Sequence, residues 1–176
     1  RGGGGYDKFP QICEKRLGVR AHTQFVVQLY GCNLDCPYCY VTRSGVWGEP
    51  VQYTTDELVQ AYIDSKQQFF HLMGGDPTIY LDRWPELIMK LPKDAIFHSD
   101  FLLTERHYDE QTLALLSDLN QMGHKMLFAV DIKGVTPEDY EKNTRKPFKH
   151  REFWDNLQRL VNRKIPFYIT YTNPDK

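Results

Sequence analysis

Cys32, Cys36 and Cys39 stand with three and then two residues between them in Gly31-Cys32-Asn33-Leu34-Asp35-Cys36-Pro37-Tyr38-Cys39-Tyr40. One short loop thus offers three thiolates, one fewer than a closed four-thiolate iron–sulfur or zinc site requires. A [4Fe–4S] cluster held this way keeps one iron open to an outside ligand, and an open metal position is where chemistry is done. The alternatives are a zinc ion completed by a distant histidine or by Cys13, and a disulfide framework. Four cysteines in 176 residues, three of them crowded together, fall short of a disulfide scaffold. Cys13, in Pro10-Gln11-Ile12-Cys13-Glu14-Lys15, is read as a small buried hydrophobe rather than a ligand.

Three further polar groups could serve such a centre. In Gly74-Gly75-Asp76-Pro77 the glycines let backbone pass close to a ligand, and the acid can receive an ammonium. A plain turn is the competing reading. His98-Ser99-Asp100 offers a hydroxyl and a carboxylate, or else a turn, with His98 a core or rim histidine. In Asp131-Ile132-Lys133-Gly134 the acid and the base alternate onto one face of a strand end, as a ligand site or a structural ion pair.

The elements that must position these groups are read from apolar period and caps. Apolar runs predict strands at 24–30, 69–73, 95–98, 126–131 and 167–171. Thr54 with Glu57 forms a capping box ahead of a helix with Leu58, Val59, Tyr62 and Ile63 on its apolar face. A helix near Pro85 buries Leu87, Ile88 and Leu91. Another over 109–122 turns Leu113, Leu115, Leu116, Leu119 and Met122 inward and stops at Gly123. Thr136-Pro137 opens a short helix, and a longer one carries Phe153, Trp154, Leu157, Leu160 and Val161. Strands alternating with helices predict a parallel α/β sheet. A full eight-fold barrel needs about 250 residues. The fold expected is therefore a partial (β/α) barrel of about five to six βα units, with every polar motif at the C-terminal strand ends.

The cysteine loop, with an aromatic before its last cysteine, resembles that of the radical S-adenosylmethionine (radical SAM) superfamily. The resemblance extends in motif order over roughly residues 24–172. It implies a [4Fe–4S] cluster on Cys32, Cys36 and Cys39, with S-adenosylmethionine (SAM) chelating the open iron through its amino and carboxylate groups. An electron then cleaves the S–C5′ bond and yields a 5′-deoxyadenosyl radical that abstracts hydrogen. Gly74-Gly75-Asp76-Pro77 is similar to the superfamily's Gly-Gly-Glu-Pro motif at the SAM amino group, with an acid one methylene shorter. Tyr38 matches the aromatic of the cluster loop, whose backbone meets the adenine, Tyr40 beside it is a further cofactor-binding candidate, and Ser99 and Asp100 correspond to the ribose or carboxylate contacts. Asp131 and Lys133 resemble an Asp-x-Lys pair that contacts SAM in glycyl-radical-enzyme activases. The phrase around the cysteines is also similar to peptide-modifying members. The resemblance implies an electron donor such as flavodoxin or ferredoxin, and a glycyl-radical enzyme, a peptide or a small molecule as substrate. A non-catalytic iron–sulfur or zinc module is the alternative of another class.

Hydrophobic residues make up 41% and charged residues 26% of the chain, with a net charge of −1. That is an ordinary globular composition, with no electrostatic case for nucleic acid or an anionic membrane. No apolar run reaches membrane-spanning length, and the expected location is the cytoplasm, where thiols stay reduced. Residues 1–20, opening on a glycine run, are read as a flexible tail and lead-in. Residues 21–176 are read as the core, short of its last unit. Lys142, Arg145, Lys146, Lys149, His150 and Arg151 are read as a solvated helix junction, with a reductant-docking surface as the alternative. Trp47 is a candidate substrate wall.

Overall fold

The structure is a computed structural model that describes residues 9–18, 23–41, 43–103 and 108–172; the glycine run at residues 2–5 lies outside these. Five parallel strands form one open sheet in sequential order: β1 (Gln24–Gln28), β2 (Phe69–Met73), β3 (Ile96–Phe101), β4 (Lys125–Ile132) and β5 (Phe167–Tyr171). Helices connect them: α1 (Phe9–Leu17) before the sheet, then α2 (Arg43–Trp47), α3 (Thr55–Ser65), α4 (Trp84–Lys90), α5 (Glu110–Gln121), α6 (Pro137–Thr144) and α7 (His150–Asn162). This is the expected partial (β/α) barrel. Among the described residues no helix is long and apolar enough to cross a membrane.

Strand alternation sorts the side chains onto two faces. Phe70, Leu72, Phe97, Phe101, Phe128 and Val130 pack under the helices with Leu87, Leu113, Phe153 and Leu160. Trp84, fully buried, is the hub of this layer and stacks on Phe128 at 5.4 Å between ring centroids. The inner face begins apolar: Phe69, Ile96 and Leu127 cluster with Cys13, Ile12 and Leu17 of α1. The lead-in thus contains a helix that covers the N-terminal end of the lumen. Further along, the inner face turns polar through His71, His98, Asp100, Asp131 and Lys133.

The capping box at Thr54 forms in both directions, and Gly123 stops α5 at φ +88°. Other details differ from expectation. β1 ends at Gln28 because the chain leaves the sheet toward the cysteine loop. β3 continues through His98, Ser99 and Asp100, since its pairing with β4 runs from Ile96 to Phe101. A polar lumen hides such a strand end from an apolar-run reading. Leu115 and Met122 point to solvent, because the buried stripe of α5 is Thr112, Leu113, Leu116 and Leu119. Ile63 and Val161 are likewise exposed on their helices.

Candidate active site

The cysteine loop starts where β1 leaves the sheet and is clasped from three sides. Gly31, at φ +90°, donates its N–H to the Val46 carbonyl of α2 (2.8 Å) and accepts from the Asp76 N–H (2.8 Å). The Asp35 N–H reaches the Thr144 carbonyl at the end of α6 (3.0 Å), and the Asp35 carboxylate lies 3.5 Å from Arg145. Leu34 is buried against Leu102 and Tyr140, with Cys32 and Cys36 packed on the same cluster. The Leu34 N–H points at the Cys32 sulfur (3.4 Å), and the Cys39 N–H closes a turn onto the Cys36 carbonyl (3.1 Å).

The three sulfurs act on one another. Burial pushes the Cys32 thiol up to about 11, with Asp76, Cys36 and Cys39 adding to the rise and the Leu34 N–H opposing it. Burial also raises Cys36, while the Lys133 ammonium pulls the other way. Without metal these two groups are therefore thiols at neutral pH, and a metal centre would displace their protons. Three sulfurs in mutual electrostatic reach, one facing a backbone N–H and another near an ammonium, fit an anionic iron–sulfur cluster. Cys13 does not join them. It is buried at the N-terminal end of the lumen, where burial pushes its thiol up to about 12.

Gly74 and Gly75 both adopt positive φ (+76° and +61°) and bring the backbone after β2 against the cysteine loop. A Cβ on Gly75 would lie 2.1 Å from the Gly31 carbonyl oxygen, whereas one on Gly74 would meet the Gln28 side chain at 2.6 Å. The need for glycine at position 75 is thus already explained by loop packing. Asp76 is fully buried, and its Oδ1 accepts from the Thr78 N–H (3.0 Å) and Thr78 hydroxyl (2.5 Å). One carboxylate oxygen is therefore committed to capping the 3-10 segment Pro77–Arg83.

Asp131 and Lys133 share the lumen face and form an ion pair, their side chains 21% and 13% exposed. Asp131 Oδ1 also accepts from the Thr172 hydroxyl at 2.9 Å. Burial works to lower the Lys133 ammonium, but Asp131, Tyr38 and Cys36 outweigh it and hold it above its ordinary range. The Lys133 Nζ stands 5.7 Å from the Tyr38 ring centroid, within cation–π range. The buried Tyr38 hydroxyl neighbours the Cys36 thiol. Tyr40 is 71% exposed at the outer end of the loop. Gly134 packs against α6, where a Cβ would lie 2.4 Å from the Tyr140 nitrogen, and the Asn143 amide donates to the Lys133 carbonyl (2.6 Å).

Cys32, Cys36, Cys39, Tyr38, Gly74, Gly75, Asp131 and Lys133 thus gather at the C-terminal end of the sheet. Ser99 is not with them. It has the strand parity of Phe97 and Phe101, is fully buried, and donates to the Leu72 carbonyl (3.0 Å). Asp100 faces the lumen, where burial first, then Asp131 and Asp76, push its carboxyl up to about 7 against the pull of Lys133. Gly31, Gly134, Asn143 and Thr144 escaped sequence reading. Their roles are backbone contacts between distant segments, and only the two glycines carry a local signal.

Comparison with known proteins decides the family, since the Radical SAM superfamily matches residues 26–175. The chain belongs to the radical SAM superfamily. The solved structure "Native anSMEcpe with bound AdoMet and Cp18Cys peptide" superposes with a TM-score of 0.58 at 20% identity, over 82% of this chain and 42% of that one. "Native anSMEcpe with bound AdoMet" gives 0.56 at 19% identity over 82% and 44%. "Crystal structure of Streptococcus suis SuiB bound to S-adenosylmethionine" gives 0.50 at 11% identity over 94% and 43%. At these identities the likeness is one of fold, and the chain spans less than half the length of these structures. No curated protein matches the sequence. Radical SAM membership implies the [4Fe–4S] cluster and SAM as cofactors, and the cysteine loop has the donors for the cluster.

Proposed function

We propose that this chain is the cluster- and SAM-binding core of an enzyme that abstracts hydrogen from a peptide or protein substrate. The observation that carries the reading is the gathering of three mutually coupled thiols, the Gly74-Gly75 turn and the Asp131–Lys133 pair at one end of the sheet. When bound, the cluster and SAM supply reductive S–C5′ cleavage and, through it, hydrogen abstraction. Cys32, Cys36 and Cys39 hold the cluster. The backbone of Gly74 and Gly75, with Asp76 following it, receives the methionine end of SAM. Tyr38 borders the adenine, Tyr40 stands at the outer edge of the same cofactor site, and Asp131 with Lys133 orients the ribose or carboxylate. An electron donor of the flavodoxin or ferredoxin type docks on the exposed side of the loop.

A peptide substrate is supported by the fold shared with anSMEcpe, whose structure holds the Cp18Cys peptide. A second reading, activation of a glycyl-radical enzyme, is favoured by the Asp131-x-Lys133 pair. The test is anaerobic reconstitution followed by SAM and reductant, with 5′-deoxyadenosine measured alone, with cysteine-containing peptides and with a glycyl-radical enzyme. Stimulation by peptide supports the first reading, and a glycyl radical seen by electron paramagnetic resonance supports the second. No 5′-deoxyadenosine from fully loaded protein under any condition would overturn both.

A further inference from the structure

The lumen also holds two histidines that the radical SAM reading does not use, and they stand beside Asp100, which the resemblance had set against the ribose or carboxylate of SAM. His71 on β2 and His98 on β3 are register partners on adjacent strands, with ring centroids 4.3 Å apart. Asp100 follows His98 by two residues on the same strand face. One donor atom from each of the three lies within 4.8 Å of the other two.

The two rings are oriented as metal-binding histidines usually are. His98 Nδ1 lies 2.5 Å from the Leu127 carbonyl oxygen. That oxygen can only accept, so Nδ1 carries the hydrogen and the lone pair of the neutral ring is on Nε2. His71 Nδ1 lies 2.6 Å from the Gln24 amide oxygen, an acceptor that matches the same tautomer. A backbone carbonyl or amide oxygen fixing Nδ1–H and leaving Nε2 to a metal is the recurrent second layer of imidazole sites. From this geometry we infer that His71, His98 and Asp100 form a lumen site for a divalent transition-metal ion, separate from the cysteine loop. Two imidazoles and a carboxylate suit zinc or ferrous iron rather than calcium or magnesium. Bonds of about 2.0–2.1 Å place donors of a tetrahedral set roughly 3.3 Å apart, so the three must close by about 1.5 Å at most. Asp100 is the least buried of the three. Three protein donors leave a coordination position open toward the lumen, where a carboxylate or carbonyl oxygen of a ligand would fit.

The inference rests on the fold and not on the proposed substrate, and its test needs no turnover. Cobalt(II) is titrated into the cluster-free chain, and visible absorption separates the two sites. Cobalt on the cysteine loop gives intense thiolate charge transfer, whereas nitrogen and oxygen ligands give ligand-field bands alone. The expected result is two equivalents, one of each type, with the second retained in a Cys32→Ser/Cys36→Ser/Cys39→Ser variant. His98→Gln and Asp100→Asn should each weaken the nitrogen–oxygen equivalent by at least tenfold and leave the thiolate equivalent unchanged. Asp100→Asn keeps the shape of the side chain, so it decides the matter if His98→Gln fails to fold by circular dichroism. Binding of the thiolate type only, or a nitrogen–oxygen equivalent unaffected by Asp100→Asn, would overturn the site and leave the three residues a hydrogen-bonded network.

Discussion

A β-carbon on Gly75 would stand 2.1 Å from the carbonyl oxygen of Gly31, the residue that opens the cysteine loop. That oxygen cannot simply retreat, because Gly31 is held by Val46 on one side and by Asp76 on the other. Gly75→Ala should therefore displace the loop itself, and its positive φ adds strain of about 1 kcal/mol. We expect Gly75→Ala to lose most of its iron and sulfide uptake, measured after anaerobic reconstitution. Gly74→Ala meets only the flexible Gln28 side chain and should keep its cluster. Full iron content in Gly75→Ala would break the link between the two segments.

Gly134 makes the corresponding contact on the other side. A Cβ there would lie 2.4 Å from the Tyr140 nitrogen and 2.7 Å from its Cα, and α6 in turn holds Asp35 through Thr144. Gly134→Ala should destabilise the fold by about 1–3 kcal/mol, as overpacking does, and make the reconstituted cluster labile. The readouts are urea unfolding and the rate of cluster loss to a chelator. Unfolding and cluster retention equal to the parent chain would show that α6 does not brace the loop.

Much of this architecture is legible in the residues because parallel strands covered on both faces read as plain apolar runs. Phe69–Met73 and Phe167–Tyr171 are recovered as read, as are the caps at Thr54 and Thr136. The end of β3 is not legible, because strand residues facing a polar lumen lose the apolar signature, and His98-Ser99-Asp100 looks like a turn. The parity that follows from the longer strand turns Ser99 under the helices and Asp100 into the lumen. Helix α1 is missed for another reason: its apolar residues are few, and its role at the lumen floor depends on Phe69, Ile96 and Leu127, far off in the chain. The cysteine loop is legible from local spacing, but its clasp is not, since hydrogen bonds such as Asp35 to Thr144 leave no local trace.

Cys13 should behave as a core residue. Burial pushes its thiol up to about 12, so it stays protonated and unreactive at pH 8. A disulfide-exchange reagent added to native, cluster-free protein should therefore modify exposed Cys39 first and Cys13 only after denaturation. Cys13→Ala should leave iron and sulfide content unchanged, while Ala at Cys32, Cys36 or Cys39 should abolish uptake. Loss of the cluster in a folded Cys13→Ala variant would make Cys13 a ligand after all.

The Asp131–Lys133 pair can serve the ligand, the fold or both, and its burial dictates how these are separated. Single substitutions are poor probes here. Removing one member of a largely buried pair strands the other, at a cost of about 3 kcal/mol. Asp131→Asn and Lys133→Met should each lower the melting temperature for that reason alone. The double variant Asp131→Asn/Lys133→Met leaves neither charge behind and should recover most of that stability, giving a large coupling energy in the cycle. If the pair orients SAM, the recovered double variant should still form 5′-deoxyadenosine at least tenfold more slowly than the parent, with normal iron content. Stability and turnover then part company, which no purely structural role can produce. Turnover that returns together with stability in the double variant would reduce Asp131 and Lys133 to scaffolding.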